Sequence, residues 1–175
     1  MDLVFVDGPF PAEGVEGEYE WCAFEPNKDF SDSYRKFDGC VAFLEDCLTR
    51  MGPFDGLMGF SQGASVTAVL PGMQAEGVAL TSVPKIKFVM LIGGFKFGGS
   101  IFPAPNLAKN AFSSPIQCPS LHILSEKDRW KPDELLDSFV DPFVLHHPEG
   151  HVVPKLDEKG LEIMLEFIEK IQELL

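Results

Sequence analysis

Short apolar runs closed by turn-forming residues recur along this chain. Leu3-Val4-Phe5-Val6 stops at Asp7-Gly8-Pro9, Phe54-Asp55-Gly56-Leu57-Met58 enters a glycine-flanked turn, and Phe88-Val89-Met90-Leu91-Ile92 is closed by Gly93-Gly94. Leu121-His122-Ile123-Leu124 and Phe143-Val144-Leu145-His146 follow. Such runs lack the in–out alternation of a half-exposed strand, and they predict parallel strands covered on both faces. Between them the period becomes helical. Val41, Leu44, Leu48 and Met51 share one face over residues 38–51, with Asp38 as N-cap and Gly52-Pro53 as the stop. A second helix over 64–70 should end at Pro71-Gly72, and a short one is expected around 106–112. A fourth spans 132–140 with proline in its first turn. The last is long and amphipathic. Leu161, Met164, Leu165, Ile168, Ile171 and Leu175 form its predicted buried stripe, and glutamates lie mainly off it. This alternation predicts an α/β fold with a doubly wound, mostly parallel sheet, built as a single domain over residues 1–175.

Residues 8–38 interrupt the alternation with acids, glycines and aromatics, among them Trp21, Phe24, Phe30 and Tyr34. Loops this long are functional or disordered, and the aromatics argue against disorder. A flap bordering a pocket is the expectation.

The chemistry centres on Gly59-Phe60-Ser61-Gln62-Gly63, which lies between a predicted strand and a predicted helix. A serine at the apex of such a turn takes strained backbone angles, and flanking glycines avoid clashes with the neighbouring strand and helix. The turn lifts the hydroxyl clear of the sheet. It also aims the backbone N–H of Gln62 at an incoming acyl oxygen, aided by the helix N-terminus.

A serine hydroxyl is a weak nucleophile and needs a base, which in turn needs a group to hold its tautomer. Asp128 and His151 follow Ser61 in the order this motif requires, each just past the carboxyl end of a predicted strand. Their rivals fit less well. Glu126 is the nearest alternative acid, and Asp141 lies at the wrong end of its strand. His122 sits inside a strand, while His146 and His147 precede the turn.

The formal net charge of −13 argues against nucleic acid and anionic membranes as partners, since both require a basic patch. Cys22, Cys40, Cys47 and Cys118 show no C-x-x-C spacing, and Cys40 and Cys47 fall on one helical face as core. The chain opens on Met1-Asp2-Leu3-Val4 without a basic signal-peptide start, so reduced thiols and a cytoplasmic or nuclear location are expected. No apolar run approaches membrane-spanning length. No metal or cofactor motif stands out, and the glycine pairs at 93–94 and 98–99 read as strand-end turns.

Taken together, Leu3-Val4-Phe5-Val6-Asp7-Gly8-Pro9, Gly52-Pro53-Phe54-Asp55-Gly56, Gly59-Phe60-Ser61-Gln62-Gly63-Ala64, Gly93-Gly94-Phe95, Ser125-Glu126-Lys127-Asp128 and Gly150-His151 resemble the FSH-type serine hydrolases of the α/β-hydrolase superfamily. The resemblance implies Ser61 as nucleophile, Asp128 as acid and His151 as base, acting on small acyl esters or thioesters. Some fungal relatives are fused to dihydrofolate reductase, but nothing in this sequence suggests folate chemistry. Family members begin with an additional strand and a His-Gly loop that supplies a second oxyanion donor. Against that pattern the chain reads as N-terminally truncated, and two expectations follow. One is a catalytically impaired scaffold that binds a ligand or partner. The other is a core running from residue 57 to the last helix, with the first fifty residues loosely held or residues 3–6 re-paired against the nucleophile strand.

Overall fold

The computed structural model describes residues 2–23, 30–128 and 132–174. A small antiparallel hairpin comes first, β1 (Phe10–Pro11) against β2 (Tyr19–Glu20). Helix α1 (Phe30–Met51), strand β3 (Gly56–Phe60), helix α2 (Gln62–Ala75) and strand β4 (Phe88–Ile92) follow. Next come a 3-10 turn at Asn106–Ala108, strand β5 (Ser120–Ser125), helix α3 (Pro132–Leu136), strand β6 (Phe143–His147) and helix α4 (Glu158–Gln172). Strands β3, β4, β5 and β6 pair in that order, all parallel.

The two faces of β4 explain its unbroken apolar run. Val89 and Leu91 join a core with Phe37, Cys40 and Val41 of α1 and Val66, Val69 and Leu70 of α2. Phe88, Met90 and Ile92 meet Leu121, Ile123, Leu145 and the α4 residues Phe167 and Ile171. With side chains alternating about a strand, both faces must be apolar when helices cover both.

Several expectations change. Leu3-Val4-Phe5-Val6 is not a buried strand: it pairs with no described strand, and Phe5 is 83% exposed. An apolar run becomes a strand only when a sheet edge accepts its N–H and C=O groups. The first fifty residues are nonetheless not uniformly loose, because α1 packs firmly. It starts at Phe30, not at Asp38, which is exposed within the helix. Phe37 extends the Val41–Leu44–Leu48 face by one turn, and this i, i+4 continuation outweighs a capping aspartate. The 8–38 excursion is therefore a hairpin plus the start of α1, and its residues 24–29, Phe24 included, lie outside the described residues.

Helix α2 runs through Pro71 to Ala75 instead of ending there. Gly72 lets the loop at Ala111 pack closely on this turn, because a Cβ at that position would meet the Ala111 carbonyl oxygen. Helix α3 ends at Leu136, since the following chain bonds sideways: Ile116 N–H donates to Ser138 O and Val140 N–H to Ile116 O. Only Asn106–Ala108 is helical in the region expected as 106–112. On α4 the buried stripe is rotated to Gly160, Ile163, Met164, Phe167 and Ile171, leaving Leu161 and Leu165 each 50% exposed. The helix carries apolar residues over a wider arc than the sheet covers. Leu175 lies outside the described residues.

Candidate active site

The carboxyl ends of the strands form one rim, held by hydrogen bonds that continue the ladder. Ser61 N–H donates to Ile92 O (2.8 Å), Gly93 N–H to Ile123 O (3.0 Å) and Glu126 N–H to His147 O (3.1 Å). Each strand thus hands its next residue to the rim in register.

Ser61 sits between β3 and α2 with φ 55° and ψ −121°, a left-handed conformation rare outside glycine. Such backbone costs about 1–3 kcal/mol and persists where the surroundings enforce it. The enforcement is visible at Gly59, where a Cβ would lie 2.4 Å from the Gly63 carbonyl carbon and oxygen. At Gly63 the constraint differs from the expected clash with strand and helix. A Cβ there would instead sit 3.2 Å from Trp21 Nε1.

His151 Nε2 lies 2.8 Å from Ser61 Oγ, and its Nδ1 lies 2.9 Å from Asp128 Oδ1. An ionised carboxylate only accepts, so Nδ1 carries the proton, and Nε2 of the neutral ring is left to accept from the serine hydroxyl. Asp128 is nearly enclosed, its side chain 9% exposed, while the imidazole is 37% exposed. An enclosed acid behind an accessible ring can orient that ring while leaving its far side open to reactants. Phe60 flanks the imidazole with ring centroids 5.0 Å apart.

All three expected side chains thus come together, and their rivals do not join them. Glu126 is exposed, as is His146. His147 is buried, and so is His122, whose ring packs edge-on against Phe139. Burial pushes the His122 pKa down to about 4. Gln62 is the first residue of α2, so its backbone N–H has no acceptor within the helix. Among the described residues, no group of three or more His, Cys, Asp or Glu side chains is arranged to hold a metal ion.

Two contributors escaped the sequence reading. Gly93, read there as a plain strand-end turn, has φ +59°, and a Cβ on it would lie 2.9 Å from His151 Cε1 and 3.3 Å from Asp128 Oδ2. The second is Ser65. Its hydroxyl accepts from Phe95 N–H at 2.8 Å and ties the loop after Gly93-Gly94 to α2. The motif Gly93-Gly94-Phe95 carried both signals, but only the rim geometry gives them meaning.

The parallel sheet, the strained serine turn and the rim position of these side chains define an α/β-hydrolase fold. Residues 1–162 match the family described as serine hydrolase (FSH1), and the chain belongs to that family. It is 32% identical over 146 residues to a Schizosaccharomyces pombe protein named dihydrofolate reductase, covering 79% of this chain and 30% of that protein. It is 29% identical over 162 residues to esterase OVCA2 of Xenopus tropicalis, covering 86% and 65%. With the human esterase OVCA2 it shares 29% over 179 residues, covering 87% and 76%. The chain therefore spans less than two thirds of the length of the first two. In fold it is similar to a carboxylesterase from Mesorhizobium loti, with TM-score 0.59 at 15% identity, covering 93% of this chain and 73% of that one. No helix among the described residues is long and apolar enough to cross a membrane.

Proposed function

We propose that this chain hydrolyses carboxylic esters or thioesters of small acyl substrates through Ser61, His151 and Asp128. The observation that carries the reading is the hydrogen-bonded chain from Ser61 Oγ through both imidazole nitrogens to Asp128. Ser61 Oγ attacks the acyl carbon while His151 Nε2 takes the hydroxyl proton. The carbonyl oxygen gains the negative charge, and the backbone N–H of Gln62 donates to it. Collapse of the tetrahedral species breaks the bond to the alcohol or thiol, which leaves with the proton from His151. Water then adds to the acyl-serine with the same base, releasing the acid and restoring Ser61. Asp128 keeps the ring oriented and stabilises it while protonated. The four thiols are unpaired and buried, which supports a reducing, cytoplasmic or nuclear setting.

A second reading, a scaffold that binds a partner instead of turning over, draws on the outer edge of β3. No described strand pairs there, and Met58 and Phe60 are 43% and 40% exposed beside the serine turn. One experiment separates the readings. Hydrolysis of a p-nitrophenyl ester series and labelling by a fluorophosphonate probe are expected for the folded chain. Ser61→Ala should remove the labelling and lower kcat at least about 10³-fold. A cooperatively folded chain that neither labels nor turns over would favour the scaffold.

A further inference from the structure

The hydrogen bonds of the Gln62 side chain run to one short segment some forty residues earlier. Its Oε1 accepts from the backbone N–H of Trp21 at 2.7 Å and of Cys22 at 3.2 Å. Its Nε2 donates to the Cys22 carbonyl at 2.6 Å. The pattern fits a primary amide and no other side chain of that length. Glutamate would set an oxygen against the Cys22 carbonyl, and methionine would leave two donors and one acceptor bare. Residues 21–22 follow β2 outside any helix or strand, so their backbone groups need such partners.

This clamp determines where an aromatic ring sits. Trp21 is half-buried against the core, and its indole edge comes within 3.2 Å of a Cβ built on Gly63, two residues past Ser61. The neighbouring residues of the hairpin's open end are docked on α1. Lys36 of α1 pairs with Glu20 at 2.8 Å and lies over the Phe10 ring, and Phe10 in turn packs on Gly39. The open end of the hairpin is thus held at two adjacent points, to α1 through Glu20 and Phe10 and to the serine turn through Trp21 and Cys22, and Gln62 makes the second attachment.

We infer that the Gln62 side chain is a positioning residue that fixes Trp21 as a wall of the acyl site, so that acyl-chain selection is set at the residue whose backbone N–H faces the oxyanion. The inference rests on the reading of Ser61 as nucleophile. An indole ring is flat and apolar over most of its surface, so a wall of this kind would suit an unbranched alkyl acyl chain extending from the ester carbonyl. Each methylene laid against such a surface is worth up to about fourfold in kcat/KM. Selection of this kind depends on the wall being held still, because a mobile indole must be ordered anew by each substrate.

The test uses the whole chain and two independent readouts. Hydrogen exchange at the Trp21 and Cys22 amides reports the clamp without reference to activity. The slope of log kcat/KM against acyl length, from acetyl to octanoyl p-nitrophenyl esters, reports the wall. Gln62→Met is expected to speed exchange at both amides at least about tenfold, leave Phe88–Ile92 protected, and flatten the slope. Gln62→Glu keeps the acceptors and should retain more of the slope than methionine does. Trp21→Ala should flatten the slope to the same extent, with no further loss when combined with Gln62→Met. Trp21→Leu covers the case in which Gln62→Met fails to fold: its amides should stay protected while the slope falls. Unchanged exchange in Gln62→Met would overturn the clamp. Faster exchange with an unchanged slope would overturn the wall. Turnover that survives Ser61→Ala would instead overturn the nucleophile reading while leaving the exchange result standing.

Discussion

The hydroxyl of Ser125 donates a hydrogen bond to the carbonyl oxygen of Glu149, two residues before His151. The same hydroxyl accepts from Lys127 N–H at 3.0 Å, and the Ser125 carbonyl accepts from Asp128 N–H at 3.2 Å. One buried serine at the end of β5 therefore spaces the acid turn from the histidine turn. Ser125→Ala is expected to lower kcat for short esters roughly tenfold with little change in KM. A lost or strained hydrogen bond of about 1–1.5 kcal/mol at the Asp128–His151 pair has that size. Because the pair's geometry changes, the acid limb of the kcat/KM profile should move, and Ser125→Thr should restore part of the loss. An unmoved profile with full activity would show that the two turns are spaced by other contacts.

Gly93 tests how tightly the imidazole is seated. Gly93→Ala places a Cβ 3.0 Å from His151 Nδ1 in a left-handed backbone with φ +59°. The backbone strain alone should cost roughly 1 kcal/mol of stability. Gly77→Ala isolates that part, since Gly77 has φ +69° and nothing within 4 Å of the added carbon. Both variants should lower the urea midpoint by similar amounts. Only Gly93→Ala should also lower kcat, by about tenfold or more. Equal activity in the two would mean that the ring shifts aside without consequence.

His122 should contribute to acid sensitivity. Burial holds its pKa down at about 4, against an ordinary value of 6.5. A histidine that is harder to protonate when folded adds its full stability above pH 6.5. As pH falls from 6.5 toward 4, the unfolded chain takes up a proton that the folded chain refuses, and stability is lost. The loss by pH 4 is bounded by roughly 3 kcal/mol. His122→Gln should be less stable than the parent at pH 7 but lose less between pH 7 and 4.5 in urea denaturation. Parallel stability–pH curves for the two chains would remove His122 from the account.

How much of this was legible in the sequence depends on the range of the interaction that decides each feature. Strand β4 was readable to the residue, because burial on both faces writes itself as an unbroken apolar run at Phe88–Ile92. The serine turn was readable because its covalent requirements are local: glycine where Gly59 meets Gly63, then a helix behind Ser61. The order Ser61, Asp128, His151 followed from placing each at a strand end, and the structure brings Ser61 and Asp128 each within hydrogen-bond reach of His151. What the sequence could not settle was decided by partners distant along the chain. Leu3-Val4-Phe5-Val6 has the composition of a strand, yet a strand exists only where another edge accepts it. Leu161 and Leu165 have helical spacing for burial, but the sheet turns a neighbouring face of α4 inward. The Gln62 side chain carries no local signal at all. Its matched donors and acceptors lie some forty residues away, and only the docking of the hairpin onto the serine turn brings them together.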